Sequence, residues 1–192
     1  AARQGGVWVG RWEGVTGLVP CGVAGHPDRG RSTAAARALG ALPIAALELG
    51  SPCSGPLADG PVIQRAGQAA LEAGMTVAGC LEVAAAVSGN APLVVMSYIN
   101  PVLAYGPERF AADAASAGVA GVILPDLPPE ESDTVAAALH ARGLATIFLV
   151  APTSTEERIR LLCDAPSGFF YCASRPASPR VAVDAPGGMG GW

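Results

Sequence analysis

The sequence predicts an α/β fold built on a parallel β-sheet. Short apolar stretches, each suited to one buried strand, alternate with segments of about ten to fourteen residues that show helical periodicity. Six such strands can be recognised, and their alternation with helices is typical of right-handed βαβ units. The chain has 192 residues, of which 51% are hydrophobic, so it can bury the core of one domain.

The predicted elements follow one another along the chain. The first strand is predicted at Val15–Gly25, and the Ala/Leu spacing of Pro27–Ala41 indicates a helix after it. Further strands are predicted at Ala45–Leu49, Leu93–Ser97, Ala120–Leu124, Leu144–Val150 and Gly168–Ala173. Further helices are predicted at Pro61–Gly74, Thr76–Ser88, Pro107–Ala117, Pro129–Arg142 and Thr153–Asp164. Proline at the start of a segment and glycine after it are typical of helix ends.

Polar side chains collect where the predicted strands end. Glu48 and Asp59 accompany the second strand, and strands three to six are followed by Tyr98, Asn100, Asp126, Thr153, Ser174 and Arg175. The active site of a (β/α)8 TIM barrel is built from the loops at the carboxyl ends of its strands. An open doubly wound sheet is also compatible with the alternation, but no G-x-G-x-x-G follows the first strand. The distribution therefore favours a barrel.

The chain divides into three predicted regions. Residues 1–14 show no clear period and stay unassigned, residues 15–175 form the barrel region, and residues 176–192 are a Pro/Gly-rich irregular tail. A complete barrel has eight βα units in about 250 residues, so we expect an incomplete barrel of about six units. A fragment, a frameshifted product and a decayed copy all fit this pattern. Strands one and six would then have unpaired edges.

Composition excludes several classes of function. A formal net charge of -4 argues against a polyanionic partner. No apolar run approaches the roughly 18 residues of a membrane-spanning helix, and no leader pattern opens the sequence, so a cytoplasmic protein is expected. The five cysteines form no C-x-x-C and no Cys/His cluster. We therefore expect mostly buried thiols, without a metal site or a redox pair.

Two carboxylates are the strongest candidates for catalysis. Glu48 stands inside the apolar run Ala45–Leu49, where burial would raise the pKa of its carboxyl group and suit it to proton transfer. Asp59, next to Gly60, is expected to be more solvated. In such a pair, one carboxyl group can exchange protons while the other keeps a fixed negative charge. The alternatives are that Glu48 pairs with an arginine or points to solvent, and that Asp59 only forms a turn before Pro61.

The segment Glu48–Ala66, ELGSPCSGPLADGPVIQRA, resembles the signature of the tryptophan synthase alpha subunit, a lyase that splits indole-3-glycerol phosphate. Four further segments resemble that family in its usual order: Ser97–Phe110, Gly121–Ser132, Ile147–Ile159 and Gly168–Arg175. The resemblance covers roughly residues 17 to 175. It implies a TIM barrel and a retro-aldol cleavage of indole-3-glycerol phosphate to indole and glyceraldehyde 3-phosphate.

The resemblance also implies roles for particular residues. Glu48 would be the general acid/base, and Asp59 would hold the indole N–H. The substrate pocket would include Tyr171, Tyr98, Ile123 and Leu149. The chain would use no metal and no cofactor of its own, and its partner would be the pyridoxal-phosphate beta subunit in an alpha2beta2 assembly. The residues facing that partner would be Pro56 and Asn100.

The sequence departs from the family pattern at several points. Cys21 stands where the family has an aromatic residue, Cys53 and Gly55 replace Phe and Asp, and the phosphate-binding loops after strands seven and eight have no counterpart. Two other readings stay open: a remnant that only binds the beta subunit, and a different phosphate-handling barrel enzyme. A nucleophile at Cys53 or Cys21 is a further alternative to a packed thiol, and the histidine that such a pair would use is His26, five residues from Cys21.

Overall fold

The computed structural model describes residues 2–4, 7–9, 17–56, 59–87, 91–164 and 170–172. The predicted tail, residues 176–192, lies outside the described residues, as do Ser174 and Arg175. Within the unassigned region 1–14, two short strands, β1 (Ala2–Gln4) and β2 (Val7–Val9), pair in antiparallel orientation.

A five-stranded parallel sheet forms the centre of the molecule. Its strands are β3 (Cys21–Val23), β4 (Leu47–Gly50), β5 (Leu93–Met96), β6 (Val119–Ile123) and β7 (Ala145–Ile147). A separate parallel pair consists of β8 (Leu149–Val150) and β9 (Tyr171–Cys172). The sheet order follows the chain order from β3 to β7, as in a barrel wall, whereas a doubly wound sheet reverses its order. The prediction of a parallel α/β fold with an incomplete barrel is confirmed.

Seven helices connect these strands within the described ranges. They are α1 (Arg29–Gly40), α2 (Pro61–Glu72), α3 (Val77–Val87), α4 (Ile99–Tyr105), α5 (Pro107–Ser116), α6 (Asp133–His140) and α7 (Glu156–Asp164). Most lie within a few residues of their predicted bounds. None of the described helices is by itself long and apolar enough to cross a membrane, although α2 and α3 pass that test as a pair bent by 104°.

Helix α4 was not predicted, and a contact distant in sequence explains why. Its seven residues are too few to show a helical period. The carboxylate of Asp126 accepts hydrogen bonds from the backbone N–H of Ile99, at 3.0 and 3.2 Å. A carboxylate is a favourable partner for the free N–H groups and positive dipole end of a helix. The loop after β6 thus stabilises the start of α4.

Two predicted strands differ from their observed bounds. The first was predicted at Val15–Gly25, and its described residues, from Gly17 on, form a strand at Cys21–Val23, because Pro20 has no N–H to continue the ladder. Its carbonyl still accepts from the backbone N–H of Glu48, at 2.9 Å. The fifth, Leu144–Val150, is interrupted at Phe148 and divides into β7 and β8.

Two strand glycines have opposite surroundings. A Cβ atom at Gly121 would lie 3.0 Å from Cδ1 of Ile147 and 3.1 Å from the carbonyl oxygen of Ala145, so β6 and β7 pack closely there. A Cβ atom at Gly22 would meet nothing within 4 Å, and Gly22 lines a small cavity of about 70 Å³ beside α1.

The sheet separates two apolar clusters. The larger one packs the sheet against the helices and includes Leu47 and Leu49. The smaller one lies on the opposite face, which we call the inner face, and consists of Ala46, Val94, Ile123 and Ile147. Side chains alternate between the two faces of a strand. Glu48, two residues after Ala46, therefore lies on the inner face of β4.

Candidate active site

A cleft of about 310 Å³ opens at the carboxyl ends of the parallel strands. Strand residues in its lining include Cys21, Val23, Glu48, Gly50, Met96, Ile123, Leu149 and Tyr171. The other lining residues come from the loop after β4, from the first seven residues of α2 and from the position before α4: Ser51, Pro52, Cys53, Pro56, Asp59, Gly60, Ile63, Gly67 and Tyr98. The structure thus gathers all the residues expected to act on or bind the substrate. Asn100 is exposed on α4 and does not line the cleft.

Glu48 is a buried acid at the base of the cleft. Only 4% of its surface is exposed, and it pairs in register with Cys21 of β3 and Val94 of β5. Burial raises the pKa of its carboxyl group, and the negative charge of Asp59 raises it further, while a hydrogen bond from the Cys21 side chain lowers it. A carboxyl group with a raised pKa can both donate and accept a proton near neutral pH.

Asp59 lies across the cleft and is more accessible than Glu48. It is half-buried in the loop before α2, and the Tyr98 hydroxyl donates a hydrogen bond to its Oδ2 at 3.1 Å. Burial raises the pKa of the Asp59 carboxyl group, and the hydrogen bond from Tyr98 opposes that rise. The Gln64 side chain donates to the backbone carbonyl of Asp59 at 2.9 Å and so ties the loop to α2. Tyr98 thus holds the carboxylate of Asp59, and Gln64 holds its backbone.

The remaining walls are apolar or aromatic. Ile123 is 1% exposed, Tyr98 is 4% exposed and Leu149 is half-buried. Tyr171 stands at the mouth and is 41% exposed; burial raises the pKa of its hydroxyl, with further contributions from Glu48, Cys21 and Asp59. This arrangement suits a largely apolar ligand whose polar groups meet the two carboxyl groups.

The cysteines were expected to be mostly buried, and the three whose exposure the structure describes differ from one another. Cys80 is buried and Cys53 is partly exposed, whereas Cys21 is exposed as a residue. Its thiol nevertheless faces the cleft, where burial together with the charges of Glu48 and Asp59 raises its pKa to about 12. A thiol with such a pKa is a poor nucleophile, which argues against the catalytic pair of Cys21 and His26. Among the described residues, no group of three or more His, Cys, Asp and Glu could hold a metal ion.

Sequence reasoning missed the contacts that organise the two carboxylates. The contact of Tyr98 with Asp59 joins residues 39 positions apart, and the contact of Cys21 with Glu48 depends on the register of two strands. The sequence places each residue near a strand end. That position indicates which residues lie near the cleft, but it does not specify which side chain each carboxyl group contacts.

The comparisons with known proteins agree on one family. The family described as "Tryptophan synthase alpha chain" matches residues 11–178. The alpha chain of Acidiphilium cryptum is 46% identical over 167 residues, which are 85% of this chain and 60% of that protein. The alpha chain of Solibacter usitatus is 50% identical over 131 residues, which are 67% of this chain and 49% of that protein.

Solved structures give the same result. A tryptophan synthase structure from Mycobacterium tuberculosis has a TM-score of 0.79 and 44% identity, covering 82% of this chain and 62% of that one. A tryptophan synthase alpha subunit from Legionella pneumophila has a TM-score of 0.75 and 35% identity, covering 81% and 61% respectively. The chain spans less than two thirds of the length of these relatives. Its sequence and its partial barrel both show that the chain belongs to the tryptophan synthase alpha chain family.

Proposed function

We propose that this chain cleaves indole-3-glycerol phosphate to indole and glyceraldehyde 3-phosphate, as a lyase of tryptophan biosynthesis. The observation that carries the proposal is the pair of carboxylates in one cleft, with Glu48 4% exposed and Asp59 half-buried. Unlike environments allow one carboxyl group to exchange protons while the other stays charged. The chain supplies both groups, and the proposed reaction uses no metal or cofactor of this chain.

In the proposed mechanism Glu48 moves the proton. As a general acid it protonates C3 of the indole ring, and as a general base it removes the proton of the adjacent glycerol hydroxyl. The C3–carbon bond then breaks, its electron pair returns to the ring, and the hydroxyl carbon becomes the aldehyde. The raised pKa of the Glu48 carboxyl group, which follows mainly from burial, supports both directions of transfer.

Asp59 acts through its charge. Protonation at C3 places positive charge on the ring nitrogen, and a fixed carboxylate beside the N–H stabilises that state. The hydrogen bond from Tyr98 favours the charged form of Asp59. Ile123, Leu149 and Tyr171 would hold the ring between these two acids.

We also propose that the chain acts in the cytoplasm with a pyridoxal-phosphate beta subunit, in an alpha2beta2 assembly. Pro56 lies in the loop after β4, beside the cleft, and Asn100 is exposed on α4. Leu103, one turn further along α4, is 53% exposed. An apolar side chain beside an exposed amide is a favourable combination for a protein contact. Co-purification of the two chains, with and without Asn100→Ala and Leu103→Ala, tests this partner.

The test of the proposed activity is indole release from indole-3-glycerol phosphate, with and without the beta subunit. Glu48→Gln keeps the shape of the side chain and is expected to lower kcat by at least about a hundredfold, the scale of general acid/base catalysis. Asp59→Asn keeps the turn and is expected to lose rate while the fold is retained. Glu72→Gln is the matched control, because it makes the same chemical change on the exposed surface of α2.

The outcomes separate the roles. Activity of Glu48→Gln within a few-fold of the unmodified chain would remove Glu48 from the mechanism. Equal rates for Asp59→Asn and the unmodified chain would leave Asp59 as a turn former. If the unmodified chain binds the beta subunit but releases no indole, the proposed activity is wrong and a binding role remains.

A further inference from the structure

Cys21 and Glu48 form a registered pair on the inner face of the sheet. Cys21 is the first residue of β3, and its direct partner in the parallel ladder with β4 is Glu48. Registered residues on adjacent strands direct their side chains to the same face. Both line the cleft, and a hydrogen bond from the Cys21 side chain lowers the pKa of the Glu48 carboxyl group. The thiol therefore lies on the neighbouring strand beside the group to which proton transfer is assigned.

The thiol can serve as a donor and is unsuited to be a nucleophile. Burial of the thiol and the charges of Glu48 and Asp59 raise the pKa of Cys21 to about 12. The group therefore stays as S–H at neutral pH, and S–H is a hydrogen-bond donor, although a weak one. A donor stabilises the ionised form of the carboxylate that accepts from it.

The other groups facing Glu48 within the described residues do not replace this donor. Asp59, from the loop before α2, adds a negative charge that raises the pKa of Glu48. Tyr171, from β9, responds to the charge of Glu48, which raises the pKa of its hydroxyl. On the β5 side the registered partner is Val94, which is apolar. Among these groups, Cys21 is thus the one that counteracts the rise in the pKa of Glu48 caused by burial.

We propose that Cys21 is a positioning residue, whose S–H group holds the Glu48 carboxylate toward the cleft and sets the pH at which Glu48 gains its proton. This inference deepens the proposed function and rests on it for its catalytic meaning. Cys21 takes no part in bond making in this scheme, since it acts only through Glu48.

The first test is a carbon-13 NMR titration of the Glu48 carboxyl group, assigned with Glu48→Gln. Cys21→Ala removes the donor and is expected to raise the titration midpoint by about half a pH unit, or about threefold in proton affinity. Cys21→Ser keeps a donor of similar size, so its midpoint is expected at or below that of the unmodified chain. Cys53→Ala changes another thiol of the same cleft, on the loop after β4, and is expected to leave the midpoint unchanged.

The second test uses reciprocity, since two coupled groups must influence each other equally. Glu48→Gln removes the charge beside the thiol, so alkylation of Cys21 by iodoacetamide at pH 8 is expected to become at least about threefold faster, because the thiolate is the reactive form. Peptide mass spectrometry resolves Cys21 from the other cysteines. This measurement needs neither Cys21 variant to fold.

Both readouts must change for the proposal to stand. Equal midpoints for Cys21→Ala and Cys21→Ser, or an alkylation rate unaffected by Glu48→Gln, would overturn it. Neither measurement requires turnover, so a failure of the proposed cleavage activity is distinguishable from a failure of this inference. If the chain is active, the acidic limb of its kcat/KM profile is expected to shift with the carboxyl midpoint in Cys21→Ala, and a fixed limb would count against the proposal.

Discussion

Removing the Tyr98 hydroxyl tests how the structure keeps Asp59 charged. Tyr98→Phe preserves the ring, which is 4% exposed, and deletes the O–H group that donates to Oδ2 of Asp59 at 3.1 Å. Hydrogen bonds to charged groups contribute about 1.5–3 kcal/mol. The distance exceeds that of the shortest such bonds and Asp59 is only half-buried, so the lower end applies. About 1.4 kcal/mol corresponds to one pKa unit, and the substitution is expected to raise the pKa of Asp59 by about one unit.

The assay is a carbon-13 NMR titration of the aspartate carboxyl groups in the two proteins. The matched control is Tyr105→Phe, which deletes a similar hydroxyl that donates to Asp113 at 2.7 Å, outside the cleft. The control is expected to leave the Asp59 titration unchanged. A shift at Asp59 below about 0.3 units in Tyr98→Phe would refute the reasoning. So would an equal shift in both variants, since the effect would then not come from the deleted bond.

Three further predictions concern stability. Gly121→Ala is expected to lower the free energy of unfolding by about 1–3 kcal/mol, because the new methyl group overpacks against the neighbouring strand. Gly22→Ala fills open space, so it is expected to be neutral or to stabilise by up to about 1 kcal/mol. A lower Tm for Gly22→Ala than for Gly121→Ala would contradict the packing argument. In the folded chain, burial raises the pKa of Glu48 above its ordinary value of 4.5. The contribution of this carboxyl group to stability is therefore fully present below pH 4.5 and is lost as pH rises through the folded-state pKa. Glu48→Gln is therefore expected to raise Tm at pH 8 but not at pH 4, and equal changes at both would refute the linkage. Asp126→Ala is expected to lower the free energy of unfolding by about 0.5–2 kcal/mol, because the N–H of Ile99 at the start of α4 loses its acceptor. An unchanged free energy of unfolding in a denaturant titration would contradict this prediction.

Helix and strand positions could be predicted because they depend on residues close in sequence. The alternation of apolar runs with helical periods specified the parallel sheet, and proline or glycine marked helix ends such as those of α2. Helix α4 could not be predicted, since its start is stabilised by Asp126, which lies 27 positions from Ile99. The break at Phe148 also depends on tertiary geometry, because the sequence there is continuously apolar.

The sequence by itself determined that Glu48 belongs to an apolar strand and that Asp59 follows it in a loop, and its motifs indicated the family. The tertiary structure decided which groups these carboxylates touch. The pairing of Cys21 with Glu48 requires the register of β3 on β4, and the bond from Tyr98 to Asp59 requires the β5–α4 junction to meet the loop before α2. A local apolar pattern shows which face of a strand is buried, but it does not specify which side chains of remote segments meet or how far apart they lie. The acid strength of both carboxyl groups depends on those distances, so it could be derived only after the strands were assembled.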